Sequence, residues 1–282
     1  MKKLIYLLMS LSLVAFVSCS DDKENEQSGP GNVPENSSSV LSSSGKERGH
    51  SYVDLGLPSG TLWATCNVGA ATPQDYGNHY AWGEVTTKET YDWSTYKYGS
   101  TSKQLTKYCD NSEYGKDGFT DNKITLELSD DAAYVNWGGK WRMPTQAQLL
   151  ELREECYLVW TENYNNSNVK GCIVYKAKKS SDKGESVNKS ETPSPSYSLA
   201  DTHIFLPVAG VYGFPQSLEV YTNVNGGVWS STLSLSNDIQ GPFSAKSMAF
   251  NHVVMPPVVT GPYLGTDRYF GLSVRAVIPG NK

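Results

Sequence analysis

The sequence predicts an α+β domain rich in irregular loops, on three observations. Short runs of β-forming residues, alternating or continuously apolar, recur between Tyr52 and Val277. Two helix starts stand close together at Ser129 and Thr145, each on a capping residue. Charged residues are only 19% of the chain while Gly (25) and Pro (14) are frequent, which suits a loop-rich extracellular domain better than a helical bundle.

The first 18 residues read as an export signal. Lys2 and Lys3 precede an apolar run, Leu4 to Phe16, interrupted only by Ser10 and Ser12. A bilayer span needs ~20 apolar residues, so the run is too short to cross and fits a cleavable signal. It ends in Phe16-Val17-Ser18-Cys19, which resembles a bacterial lipobox with Cys19 as the lipid acceptor, although Phe16 stands where Leu is usual. The alternative is an ordinary signal peptide with Cys19 incidental. Ser20-Asp21-Asp22-Lys23-Glu24 resembles the surface-export signal of lipoproteins of the Bacteroides group; the alternative is a solvated acidic linker. Both readings hold the protein at the outer membrane through its lipid and differ only in the leaflet. Residues 19–49, with Gly29-Pro30-Gly31 and two Ser triplets, have too few apolar side chains to offset chain entropy and are expected to be a disordered tether.

The folded domain is expected over residues 50–282. Tyr52 to Leu57 alternates as a strand, Pro58-Ser59-Gly60 turns, and Leu62 to Val68 returns. Thr72-Pro73 opens one helical turn, and Tyr80 to Val85 reads as a strand or strand-like loop. Residues 86–128 are polar and aromatic without clear elements; so long a stretch carries function or wraps the domain as an ordered loop. Ser129 caps a short helix, with Asp130 and Asp131 in its first turn, and Gly138-Gly139 stops it. Lys140 to Met143 is a short strand, and Thr145 with Gln148 forms a capping box for a helix to about Cys156. Val169 to Tyr175 is a strand, and residues 176–200, Lys- and Ser-rich, a flexible insertion. The last strands are Ile204 to Pro207, Gly227 to Thr232, Ala245 to Phe250 and Tyr269 to Val277.

A longer pattern runs through these pieces. Tyr52-Val53-Asp54-Leu55-Gly56-Leu57-Pro58-Ser59-Gly60, Trp63-Ala64-Thr65-Cys66-Asn67-Val68-Gly69, Trp82-Gly83-Glu84 and Trp137 to Thr145 occur in this order. Phe205-Leu206-Pro207, Trp229-Ser230-Ser231 and Gly271-Leu272-Ser273-Val274-Arg275 follow. Together they resemble the Fibrobacter succinogenes major paralogous domain, found in lipoproteins of the Bacteroides group and similar to the C-type lectin-like fold. That family is more distantly similar to the formylglycine-generating enzyme fold, an analogy that carries fold and not activity. The resemblance implies a small twisted, mostly antiparallel sheet whose first and last strands pair, two flanking helices, and long irregular loops on one side.

The chemistry of the residues narrows function by exclusion. A mildly acidic chain (formal net charge −5) lacks the basic footprint that nucleic acid requires. The Glu-Pro-Asn and Gln-Pro-Asp triplets of calcium-dependent lectins are absent, and Thr72-Pro73-Gln74-Asp75 has the wrong order. Asp110, Asn111, Glu113, Asp117, Asp121 and Asn122 offer oxygen ligands to a calcium ion, but an EF-hand register places Tyr114 at a ligand position. A solvated loop is the plainer reading, and no cofactor is expected. Cys66, Cys109, Cys156 and Cys172 could form two disulfides or remain buried thiols, and both readings stay open. No Cys-x-x-Cys, Gly-x-Ser-x-Gly or phosphate-loop pattern occurs, and the histidines are scattered, so no enzyme is expected. Surface Tyr and Trp then suggest binding of a glycan or a protein, in adhesion or nutrient capture. The candidates are the Tyr-rich 91–114 region and the 251–269 loop with His252, Tyr263, Arg268 and Tyr269. The bland alternative is that these aromatics only pin loops to the core. Trp63, Trp137 and Trp141 are expected in the core. A structural component of a surface complex, without a small ligand, is the second functional reading, and an enzyme distantly related to the formylglycine-generating fold is the third.

Overall fold

The computed structural model describes residues 44–213, 225–253, 255–259 and 265–280. The signal segment, Cys19 and most of the tether lie outside them. The chain begins with β1 (Ser44–Glu47), β2 (His50–Val53), β3 (Leu62–Asn67) and β4 (His79–Tyr80). Two helices follow, α1 (Ala132–Trp137) and α2 (Gln146–Glu155). Then come β5 (Cys156–Thr161), β6 (Gly171–Lys176), β7 (Ser186–Val187) and β8 (His203–Pro207). The last part holds β9 (Gly226–Leu233), β10 (Ser244–Phe250), β11 (Val258–Val259), β12 (Thr266–Asp267), β13 (Leu272–Ser273) and β14 (Arg275–Ile278).

These strands build three sheets in an α+β architecture. The first runs β1-β2-β3-β14, the second β11-β10-β9-β13-β4 with β12 also on β10, and the third β7-β5-β6-β8. Pairing is antiparallel except for β13 with β9 and β5 with β7. The last strand closes on β3, with Val277 opposite Trp63 and Ile278 opposite Leu62. The expected pairing of first and last strands is therefore shifted, because β1 and β2 lie outside β3.

Several local expectations are corrected by long-range partners. The tether expected to reach residue 49 stops short, because Ser44–Glu47 already pairs with β2. Arg48 and Gly49, both at positive φ, make the two-residue hairpin turn. Gly45 is required there, since a Cβ would lie 2.4 Å from the Tyr52 hydroxyl that packs over it. Asp131, not Ser129, caps α1: its carboxylate accepts Tyr134 N–H (2.9 Å), while Leu128–Asp130 forms one 3-10 turn. Lys140 to Met143 is not a strand. Arg142 exchanges two bonds with Val277, but Trp141 N–H turns back to Gly138 and Met143 N–H is taken by the Asp131 carboxylate.

The capping box is present as expected: Thr145 and Gln148 bond each other's backbone, and α2 runs to Glu155. Cys156 then starts a strand instead of ending the helix, because Tyr157-Leu158-Val159-Trp160 pairs along β6. Residues 176–200, expected to be flexible, are anchored. β7 pairs with β5, and Tyr197 stacks on Tyr157 (4.4 Å) while its hydroxyl donates to the buried Asp182 (2.6 Å). Thr72 to Asp75 is a turn held by the Asp75 carboxylate rather than a helix. Beyond Tyr80, residues 81–85 turn away from the sheet.

Trp63, Trp82, Trp141 and Trp229 are fully buried. Trp137, expected with them, is only half-buried and stacks on His50 at 3.9 Å. The first and third sheets are joined by Arg275, also fully buried. Its guanidinium donates to Ala64 O (3.1 Å) and Thr65 O (3.1 Å) on β3, to Asn67 Oδ1 (2.9 Å), and to Phe205 O on β8 (2.7 Å). Burial pulls its pKa below the usual guanidinium range. Arg275→Met keeps the bulk but strands these acceptors, so it is expected to lower stability by about 3–5 kcal/mol in urea unfolding. An unchanged midpoint would show that the carbonyls find other donors.

Candidate functional site

The site begins with the segment that has no regular structure. Between residues 86 and 127 the one helical element is a 3-10 turn, Lys116–Gly118, and backbone pairing is limited to isolated bridges such as Leu105 with Gly115 and Thr125 with Thr232, so side chains do much of the work of fixing the path. Tyrosine hydroxyls do so. Tyr91 donates to His79 O (2.7 Å) and Tyr96 to Trp82 O (2.8 Å). Tyr98 and Tyr108 both donate to the Asp130 carboxylate, the second at 2.7 Å, and Lys107 Nζ joins them at 2.5 Å. Burial would raise the Asp130 carboxyl, but these donors outweigh it and hold it at about 2.

Arg268 supports the same segment from behind. It is fully buried, donates to Tyr108 O (2.8 Å) and Lys107 O (3.2 and 3.3 Å), and lies 5.4 Å from the Trp82 and Tyr96 ring centres. A ligand-contacting role for Arg268 is therefore corrected: its charge is spent on backbone carbonyls inside the domain.

This scaffold brings together the two aromatic regions singled out in the sequence. Trp93 meets Tyr269 at 5.1 Å between ring centres, and Tyr269 packs edge-on against Phe270 at 4.6 Å. Tyr212 continues the band, 5.4 Å from Tyr91 and 4.3 Å from His79. Trp93, Tyr212, Tyr269 and Phe270 are each half-buried. Beside the band lies a cleft of about 290 Å³ with Val211, Phe250, Phe270 and Leu272 on its walls. Its polar edge is neutral: Asn251 donates to Asn225 (2.8 Å), and the Ser247 and Thr266 hydroxyls bond each other (2.8 Å). Gly226 and Gly227 keep the floor low, because a Cβ would lie 2.3 Å from the Phe250 ring or 2.9 Å from Leu272. No acid, base or thiol is among the described lining residues, so the chemistry on offer is apolar packing with neutral hydrogen bonding.

The remaining predicted residues fall elsewhere. His252 is exposed near Trp160 (6.2 Å), by the third sheet, and Tyr263 lies outside the described residues. Cys66, Cys109, Cys156 and Cys172 are all free thiols, so the disulfide reading finds no pair among them. Burial pushes Cys156 up to about 12 and raises Cys109 and Cys172 as well. Two of the four carboxylates considered for calcium are taken up by backbone N–H groups. Asp121 accepts the N–H of Tyr108, Cys109 and Lys123, and Asp110 that of Ser236. Among the described residues no three His, Cys, Asp or Glu converge. Sequence reasoning missed Tyr212 and Phe270. Phe270 sits next to the singled-out Tyr269, whereas Tyr212 carries no local signal.

His79 at the rear of the band gives a pH test. Burial lowers it to about 4, against carbonyl contacts that raise it, the nearest being Ala209 O at 3.1 Å. The unfolded chain binds this proton near pH 6.5, so stability is complete above that value and falls as pH drops toward 4. The expected loss is about 3 kcal/mol between pH 7 and 4. His50, lowered by its own burial, adds a loss of the same sign. In urea unfolding across this range His79→Asn should reduce the slope; an identical slope would remove His79 from the account. Comparisons with family models, curated proteins and solved structures gave no match to this chain.

Proposed function

We propose that this chain is an exported lipoprotein of the outer membrane, anchored through Cys19, whose lectin-like domain captures a glycan or protein ligand on its aromatic band. The anchor rests on the basic start, the apolar run and the cysteine that follows it. Anchoring is firm when two or more acyl chains insert, each buried methylene contributing ~0.8 kcal/mol. Outward orientation rests on the acidic tract after Cys19. The family resemblance is supported by the ordered motifs, and by an α+β domain whose last strand closes on the Trp63 strand.

The observation that carries the binding function is the Trp93–Tyr269 pair beside an open apolar cleft. Half-buried aromatic rings present large rigid area with little entropy to lose, which suits the face of a sugar or an apolar anchor of a protein. The neutral polar edge supplies direction without selecting for charge.

A glycan array and a pull-down from surface extracts, both with the full chain, test this reading. Wild type should retain a ligand, and Trp93→Ala or Tyr269→Ala should weaken it at least about tenfold, the loss of one aromatic anchor. No retained ligand in either format would overturn the binding proposal. Recovery of one stoichiometric partner insensitive to both substitutions would favour a structural role in a surface complex. Cys19→Ala should abolish labelling by a palmitate analogue and release the protein from membranes; continued labelling would refute the anchor.

A further inference from the structure

The outer face of the third sheet carries a second groove, separate from the aromatic band. It encloses about 270 Å³ over Val159 and Ile173, with Tyr164, Tyr175 and Tyr197 around it and Asn163, Asn165 and Ser198 at its edge. Two of the three rings have their polar ends committed. Tyr164 stacks on Phe205 (3.9 Å, 2° between planes) and its hydroxyl bonds His203 Nε2 (2.9 Å). Tyr197 gives its hydroxyl proton to Asp182 and accepts Lys178 N–H (2.8 Å). Tyr175 differs. Only 5% of the residue is exposed, yet its hydroxyl has no hydrogen-bond partner among the described residues and stays open to the groove.

Because that hydroxyl opens on the groove, its donor is available to whatever fills the groove in place of water. Burial pushes Tyr175 up to about 12, so it keeps its proton and donates at any physiological pH. The edge adds amides: Asn163 Oδ1 is used by Asn168 N–H (2.6 Å), while the exposed Asn165 side chain bonds none of the described residues. No described lining residue is charged. The volume lies at the small end of ligand sites, which suits one compact ring rather than an extended chain.

From this we propose that the groove between Tyr164, Tyr175 and Tyr197 binds a single neutral pyranose ring, with the Tyr175 hydroxyl and the Asn165 amide bonding its hydroxyls. The apolar face of the ring lies over Ile173 and Val159, and its hydroxyls point to the phenol below and the amides at the edge. This site stands independently of the ligand of the aromatic band, since it shares no residue with it.

Saturation-transfer NMR and titration of the full chain with the methyl glycosides of glucose, galactose and mannose test it, with methyl glucuronide as the charged control. At least one neutral glycoside should bind. Tyr175→Phe, which removes one oxygen, should weaken it by about tenfold, the worth of one hydrogen bond. Asn165→Gly, which removes the exposed amide and keeps the left-handed backbone (φ 48°) that this position has, should weaken it too. Trp93→Ala should leave it unchanged. The proposal fails if no neutral glycoside binds, if Tyr175→Phe and Asn165→Gly bind as wild type does, if Trp93→Ala abolishes binding, or if glucuronide binds better.

Discussion

Residues 86–128 have to be held without a continuous ladder of backbone hydrogen bonds, and the bonds that Asp130 and Arg268 make at Tyr98, Lys107 and Tyr108 tie the middle of the segment to the domain. An extended segment packed onto a domain carries a donor and an acceptor at every residue, and buried ones must be met. Here tyrosine hydroxyls reach inward to carbonyls and to one carboxylate, and one guanidinium caps the carbonyls of Lys107 and Tyr108 from the other side. The arrangement is reciprocal. The side chains of Lys107 and Tyr108 bond Asp130, while their carbonyls bond Arg268. Neither charge is solvated, so each depends on the loop as much as the loop depends on it. Trp93 meets Tyr269 because the chain on both sides of Trp93, and the residue before Tyr269, are fixed in this way.

The same principle appears at Arg275, where one buried cation joins two sheets through carbonyls rather than a carboxylate. Carbonyl oxygens spread the compensation over several strands, so the contact fixes geometry in more than one direction. The function proposed for the chain needs that rigidity. A binding face made from loops is useful only when the loops have one conformation before the ligand arrives.

What could be read from the sequence was what is local. The Thr145–Gln148 box needs four residues and nothing else, and the helix starts where it says. The Gly138-Gly139 stop and the strands rich in Val, Ile and Phe are legible for the same reason. β1 was not, since Ser-Gly-Lys-Glu has no apolar alternation and its fit under the Tyr52 ring depends on a glycine whose role shows only once β2 is opposite it. Tyr157 to Trp160 carries no element in the sequence reading because a short apolar run has no period of its own until a partner strand is known. The site shows the limit most clearly. Arg268 looked like a surface charge because burial of a cation is decided by residues 160 positions away. Tyr175 looked like an ordinary strand residue, because an unused hydroxyl is visible only once every neighbour's bonds are counted.

The central claim is that the Asp130–Arg268 clamp positions the aromatic face. Hydrogen exchange of Arg268→Met measures it directly. The account predicts lost protection across residues 91–109 and at Tyr269, with β5, β6 and β8 protected as in wild type. Protection that is unchanged at 91–109, or lost evenly over the whole domain, would contradict it.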